Sequence, residues 1–404
     1  MIKISIIGLG YVGLPLCLNI SKKYETIGYD INKLRISSLS NHEDKNNEFK
    51  KIDFKNKKIT FTDKISDISK CNLYIICVPT PITKNKKPDL NPIKKSFNSL
   101  SKILKIGDII ILESTVYPGV TKKFTKYLEQ KTKLKNNKDF YVCYSPERIN
   151  PGDKENNLTK INKILAIETT NKKVIENIKK VYNNFCKKII FTTHIQEAET
   201  AKAIENIQRD LNIAIFNEVL MICEKLKINF TEVIRLANTK WNFIKFQPGL
   251  VGGHCLPVDP FYLSYIAKKK NFKAITTLSG RKTNDNMKNY VLDMFSKFTK
   301  KNKINSKNIK ILIVGLSYKY GVADMRNSIN YEIFQLLKNK FKNTSCFDPF
   351  VKQYDANLKL NESKVNSFDV ILFLSKGKVF QGIYNKIKLK KSKIILDPFY
   401  YYTK

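Results

Sequence analysis

The sequence predicts an α/β protein: two parallel-sheet parts on either side of a long helical middle. Three observations predict it. Short β-branched runs alternate with helix-like stretches through the first part of the chain. Residues 196–225 keep helical periodicity without a glycine or a proline. From residue 307 onward β-rich runs return, so a second α/β part begins there. At 404 residues the chain is too long for one ordinary core, and two or three domains are expected.

Taken in order, Ile2 to Ile7 is an apolar, β-branched run read as a buried strand. It meets Gly8-Leu9-Gly10-Tyr11-Val12-Gly13, a G-x-G-x-x-G pattern. The first glycine makes the tight turn, the second lets backbone approach a pyrophosphate, and the third allows close helix packing. The pyrophosphate then sits at the start of the following helix, where unpaired N–H groups and the helix dipole favour an anion. A second strand, Glu25 to Tyr29, ends in Asp30. An acid there accepts from ribose hydroxyls and repels a 2′-phosphate, which favours NAD over NADP. Arg35 lies close enough in sequence to complicate that preference.

Three further strands are expected, and each ends in a polar tip. Leu73 to Val78 leads into Pro79-Thr80-Pro81, Asp108 to Leu112 into Glu113-Ser114-Thr115, and Tyr141 to Tyr144 into Ser145-Pro146-Glu147-Arg148. In an open parallel sheet, ligands bind beyond the carboxyl ends of the strands, so these tips are candidate site residues. Such residues also occur in ordinary βα turns.

On the long helix, Lys202 and Asn206 stand four apart and share one face, which Asp210 extends by a turn. Such a stripe fits a solvated surface as well as an ammonium and an amide aimed at a developing oxyanion. The next segment is Pro248-Gly249-Leu250-Val251-Gly252-Gly253-His254-Cys255-Leu256-Pro257-Val258-Asp259-Pro260. Its glycines let backbone approach a ligand closely. A helix is expected to start there, with Asp259 as N-cap and Pro260 at the first helical position. A thiol near a helix start carries more thiolate. His254 is not assigned as its base. Later strands are expected over residues 307–314, before Gly315-Leu316-Ser317-Tyr318-Lys319, and over Val370 to Leu374 and Lys393 to Leu396.

Composition excludes several classes. Lys and Arg number 73 against 35 Asp and Glu, a net charge of +38, but the lysines are spread along the whole chain. That spread reads as a solvated surface rather than a nucleic-acid footprint, though it would help gather a nucleotide-bearing anion. No apolar stretch has the length of a membrane span, and the chain opens on a strand rather than a signal-peptide pattern. A cytoplasmic location is expected, which suits eight scattered cysteines without C-x-x-C pairs. Three histidines without ligand spacing predict no metal site.

The motifs together carry a resemblance. Gly8 to Gly13, Glu113-Ser114-Thr115-Val116, Ser145-Pro146-Glu147-Arg148, Lys202 with Asn206, Gly252-Gly253-His254-Cys255 with Asp259-Pro260, and Gly315 to Lys319 stand in family order. The chain resembles the UDP-glucose/GDP-mannose dehydrogenase family over nearly its whole length. The segments 144–153, 239–243 and 246–255 are similar to the bacterial UDP-N-acetylhexosamine 6-dehydrogenases of surface-polysaccharide synthesis.

The resemblance implies two Rossmann-like doubly wound parallel-sheet domains joined by a long central helix. It places an NAD-binding domain at 1–195, a central dimerisation domain with the cysteine at 196–300, and a UDP-sugar domain at 301–404. It also implies four-electron oxidation of a sugar C6 hydroxyl to a carboxylate with two NAD, through a thiohemiacetal and a thioester on Cys255. Lys202 and Asn206 would stabilise the oxyanions, Asp259 and Glu147 would handle protons or orient water, and Thr115 would position that water. NAD would meet Gly8, Gly10, Tyr11, Val12, Gly13, Asp30, Arg35, Val78, Pro79, Thr80, Ser114, Thr115 and Arg326. The UDP-sugar would meet Glu147, Arg148, Lys202, Asn206, Phe246, Gly249, Gly253, Arg281, Tyr318 and Lys319. A homodimer or higher homo-oligomer is implied. Pro257 and the stretch Gly321 to Ser328 depart from the related patterns and leave the sugar open. A UDP-glucose or UDP-ManNAc 6-dehydrogenase of the same family is the alternative, and a two-electron hydroxyacid dehydrogenase on the same scaffold, which has no use for Cys255, is a further one.

Overall fold

This computed structural model describes residues 2–46, 48–55, 57–149, 158–304, 308–351, 365, 367–388 and 394–402. The chain divides into two units, Met1–Glu205 with Phe261–Lys273, and Asn206–Pro260 with Ala274–Lys404.

The first unit runs β1 (Ile4–Ile7), α1 (Gly13–Ile20), β2 (Thr26–Tyr29), α2 (Lys33–Ser40), β3 (Ile59–Thr62), β4 (Leu73–Ile76) and α3 (Asn91–Leu100). It continues through β5 (Ile109–Leu112), α4 (Val120–Thr132), β6 (Tyr141–Tyr144), β7 (Asn162–Ile167), α5 (Lys172–Tyr182), β8 (Lys188–Thr192) and the start of α6 (Ile195–Leu226). Among the described residues its sheet has the order β3-β2-β1-β4-β5-β6-β7-β8. Strands β1, β4 and β5 are apolar at nearly every position and buried throughout, as strands covered on both faces must be. Ile4, Ile6, Leu73, Ile75, Ile109 and Ile111 pack with Leu14, Cys17 and Leu18 of α1 in one core. Fully burying each such aliphatic chain contributes about 1.5–3 kcal/mol.

Every pairing in this sheet is parallel except β6 with β7, where Cys143 faces Ile167 and Tyr144 faces Ala166. That reversal brings the start of β7 to the edge where the parallel strands end. The expected strands are present, β6 with the expected bounds and others shorter: β1 starts at Ile4, β4 stops at Ile76 and β5 starts at Ile109. Four strands not foreseen, β3, β7, β8 and one in the second unit, carry polar or charged residues within short runs.

The second unit holds the rest of α6, then α7 (Phe230–Ala237), the first two residues of α8 (Asp259–Lys269), and α9 (Ile275–Lys301). It ends with β9 (Ile311–Val314), α10 (Ile329–Lys340), β10 (Thr344–Phe347), β11 (Val370–Phe373), α11 (Lys378–Lys388) and β12 (Ile394–Leu396). These strands form an all-parallel sheet in the order β10-β9-β11-β12. Gly315 leaves β9 at φ +92, the backbone value with which Gly8 leaves β1. Of the expected runs 307–314 and 393–396, residues 307 and 393 lie outside the described residues, as does 150–153 of the resembling segment. Among the described residues no helix is long and apolar enough to cross a membrane.

Candidate active site

The β1–α1 turn is shaped for a dinucleotide by sterics. Gly8 sits at φ +92, which favours glycine, and a Cβ on Gly13 would lie 1.8 Å from the Gly8 carbonyl oxygen. A Cβ on Gly10 would meet nothing within 4 Å. Packing inside the protein therefore explains two of the three glycines. The third borders open space at the start of α1, where backbone would have to admit a bulky anion. Tyr11 and Val12 are half-buried beside it.

Asp30 follows β2 and accepts the Leu9 N–H at 2.8 Å and the Asn32 N–H at 2.9 Å. Arg35 donates through Nε to the Leu9 carbonyl at 2.9 Å and pairs through Nη1 with Asp44 at 2.7 Å. Its charge is thus matched by a buried carboxylate, which removes the attraction it would offer a 2′-phosphate. NAD is expected to turn over far better than NADP, and Asp30→Ala to narrow that preference by about tenfold. Equal kcat/KM with the two cofactors in the unaltered protein would refute this reading of Asp30.

At the end of β4, the Val78 carbonyl accepts the Ser114 hydroxyl at 2.7 Å, and the Thr80 carbonyl accepts Tyr262 Oη at 2.5 Å. Pro79 is exposed and Thr115 half-buried. Buried Glu199 of α6 takes the N–H groups of Gly119 and Thr121 and the Thr121 hydroxyl, capping α4 and tying α6 to the loop after Thr115. Burial pushes its carboxyl up against those hydrogen bonds. One turn on, Lys202 is buried, and its ammonium makes no hydrogen bond or ion pair among the described residues.

The tip of β6 holds a buried charged cluster. Glu147 Oε1 accepts the N–H groups of Arg148 at 2.6 Å and Ile149 at 2.5 Å. Lys163 of β7, wholly buried, lies with Nζ 3.5 Å from Glu147 Oε2, and it is ion-paired to Glu113. Tyr182 Oη donates to Glu113 at 2.6 Å. Burial, only partly offset by Lys163, pushes the Glu113 carboxyl up to about 7. Arg148 turns outward to Glu205 at 2.7 Å.

In the second unit, Cys255 is exposed, whereas the other cysteines are buried or, for Cys186, half-buried. Gly253 before it has φ +91, and its backbone exchanges hydrogen bonds with Asn327. The Cys255 carbonyl accepts the N–H groups of Val258 and Asp259, so the thiol stands on the turn that opens α8. Asp259 is the first residue of that helix rather than its N-cap, because its own N–H is already bonded. Its buried carboxylate accepts the Asn206 side-chain amide. Asn206 therefore holds Asp259.

His254 points away from this pair, to Asp324 at 3.1 Å. Burial would raise the Asp324 carboxyl, but hydrogen bonds from His254 and Arg326 hold it well below the usual carboxylate range. Arg326, expected at the cofactor, is exposed and folded onto Asp324. Arg281, expected at the sugar nucleotide, is instead buried, paired with Asp210 and with Asp285 at 3.0 Å. Its setting is the interior of the second unit. Gly249 exchanges two hydrogen bonds with the Asn217 amide of α6, and Phe246 packs on Phe216. Tyr318 lies edge-on to His254, and Lys319 is half-exposed.

Three family models match in order: the UDP-glucose/GDP-mannose dehydrogenase family's NAD binding domain over residues 2–186, central domain over 196–286, and UDP binding domain over 312–404. The chain belongs to that family. It is an NAD-dependent nucleotide-sugar 6-dehydrogenase, an oxidoreductase acting on a CH–OH group, with NAD as cofactor and a UDP-sugar as substrate.

This dehydrogenase is 41% identical over 361 residues to a UDP-N-acetyl-D-glucosamine 6-dehydrogenase of Pseudomonas aeruginosa, covering 88% of this chain and 84% of that one. It is 41% identical over 379 residues to the enzyme of the same name from Salmonella typhi, covering 92% and 89%. Among solved structures, a UDP-D-ManNAc dehydrogenase from Pyrococcus horikoshii superposes with a TM-score of 0.87 at 30% identity, covering 98% of this chain and 95% of that one. The cradle at Gly8, Gly10 and Gly13 fits the dinucleotide that the family implies. Sequence reasoning did not single out Lys163, Tyr182, Glu199 or Asp324, and it treated Glu113 only as part of a strand tip.

Proposed function

We propose that this dehydrogenase carries out the four-electron oxidation of the C6 hydroxyl of a UDP-N-acetylhexosamine, UDP-GlcNAc or UDP-GalNAc, to the uronic acid. The observation that carries the cysteine's part is the Cys255 thiol, exposed on a glycine-built turn at the start of α8. A thiolate both attacks a carbonyl and leaves from an acyl group, so one residue serves both halves of such an oxidation. Bound NAD supplies the hydride acceptor.

Cys255 captures the C6 aldehyde as a thiohemiacetal and then holds the acyl group as a thioester until water releases the carboxylate. Lys202 and Asn206 stabilise the oxyanions of the tetrahedral species. In support, the Lys202 side chain is largely buried, and its ammonium makes no hydrogen bond or ion pair among the described residues, which leaves it available to a developing anion. Asp259 and Glu147 move protons or orient the attacking water, and Thr115 positions it. Gly8, Gly10, Gly13 and Asp30 hold the cofactor, while Tyr318, Lys319 and the 246–253 loop hold the sugar nucleotide.

The acetamido preference is supported by the likeness to two UDP-N-acetyl-D-glucosamine 6-dehydrogenases at 41% identity. UDP-ManNAc is the second reading, favoured by the Pyrococcus structure. We further propose a cytoplasmic homodimer feeding surface-polysaccharide synthesis. Exposed Ile204, Ile215 and Ile222 recur at helical spacing along α6 and support a helix-mediated contact. The three segments 1–195, 196–300 and 301–404 serve as its cofactor, central and UDP-sugar parts.

The test is NADH absorbance over a panel of UDP-GlcNAc, UDP-GalNAc, UDP-glucose, UDP-ManNAc and GDP-mannose. Two NADH per sugar, with the highest kcat/KM for UDP-GlcNAc or UDP-GalNAc, is the expected result. One NADH per sugar would replace the four-electron reading with a simple alcohol oxidation.

A further inference from the structure

Lys163 follows directly from the strand register. In the β6–β7 ladder Cys143 faces Ile167 and Tyr144 faces Ala166. Continuing that antiparallel register past the end of β6 sets Glu147 opposite Lys163. Along β7, Lys163, Leu165 and Ile167 alternate onto the buried face, so the ammonium is delivered into the interior with two core residues.

What it meets there is specific. Its Nζ donates to Glu113 and to the Pro146 carbonyl at 3.0 Å, one residue before Glu147, and stands 3.5 Å from Glu147 Oε2. That oxygen is buried and accepts no hydrogen bond, while Oε1 is held by two backbone N–H groups. Other titratable groups surround the cluster: Cys77 beyond β4, Cys143 in β6, Tyr182 at the end of α5, and Cys186. Among these neighbours Lys163 is the cation. Burial alone would lower its pKa, but Glu113 and Glu147 reverse that and raise it, so the ammonium stays charged. A buried charge left unpaired is costly, and here one ammonium serves two carboxylates.

We propose that Lys163 is a positioning residue for Glu147, fixing both its carboxylate and the Pro146 backbone that leads into it. The proposal rests on the reading of Glu147 as a proton-handling or water-orienting group. Glu113 and Tyr182 act one step further out, holding Lys163 in place.

A double-mutant cycle between Lys163→Met and Glu147→Gln tests it, since residues acting as one unit are strongly non-additive. Lys163→Met is expected to lower kcat by about tenfold or more, with KM for the UDP-sugar within about threefold. Calorimetric affinity for the UDP-sugar, measured without cofactor, should change by no more than that. In the Glu147→Gln background the same substitution should cost less than about threefold.

Equal losses in both backgrounds, or no loss in either, would overturn the role of Lys163. Wild-type kcat in Glu147→Gln would instead overturn the reading of Glu147, and the proposal with it. Because Lys163→Met leaves two buried carboxylates without their cation, Lys163→Met/Glu113→Gln is run through the same cycle. It is expected to show the same non-additivity. If neither form folds by thermal unfolding, the cluster is a structural staple and the proposal falls.

Discussion

Replacing Cys255 with alanine is expected to abolish conversion of the nucleotide sugar to its acid, lowering kcat on the order of a thousandfold or more. An aldehyde taken up by sulfur becomes a thiohemiacetal, which can lose a second hydride and leave an acyl group that water can reach. Alanine offers no such handle, and Asp259 and Asn206 already bind each other rather than supplying a nucleophile. Serine is the more telling variant. Its hydroxyl ionises poorly, and the ester it would form hydrolyses more slowly than a thioester. Cys255→Ser should therefore also fail to turn over, and intact-mass measurement should reveal any trapped sugar. Near-normal NADH production by Cys255→Ala would remove the cysteine from the mechanism.

Lys202→Ala is expected to lower kcat by about a hundredfold or more, with a smaller change in KM. Charge grows on the C6 oxygen only as the tetrahedral species forms, so a cation aimed at it acts on the transition state more than on the bound substrate. The buried setting of Lys202 strengthens that interaction, because less water competes for the ammonium. Asn206→Ala should have a milder effect on the oxyanion, since an amide donates a neutral hydrogen bond. It also releases Asp259, so the loss combines two roles. Steady-state kinetics and thermal unfolding on both variants decide the matter. If turnover survived while the unfolding temperature fell, the stripe on α6 would be a structural face and the donors would lie elsewhere.

What could be read from the chain alone follows a physical pattern. The glycine loop was legible because its requirement is steric: a left-handed φ at Gly8 and no room for a Cβ at Gly13 leave glycine as the residue that fits. The buried strands β1, β4 and β5 were legible because continuous apolar runs in an α/β chain have few other uses. Helix α6 was legible through its long, unbroken periodicity.

Lys163 was not legible. In a chain with 73 Lys and Arg, one more lysine in a short strand looks like surface, and the antiparallel turn of β7 that buries it leaves no local mark. The burial of Arg281 was no more legible, because its partner Asp210 is far away in sequence. The Asp259 boundary was missed by one residue, since an aspartate before a proline fits either the cap or the first turn.

Helix α6 passes without interruption through residues 205 and 206, where the chain's two units divide. Lys202 and Asn206 stand four residues apart on that helix, so its screw sets the angle between them. Each residue added to an α-helix turns everything beyond it by about 100°. A single insertion between them would swing the amide by about 100° from the ammonium, although both side chains were retained. The spacing of Lys202 and Asn206 is thus a fixed interval of about one helical turn.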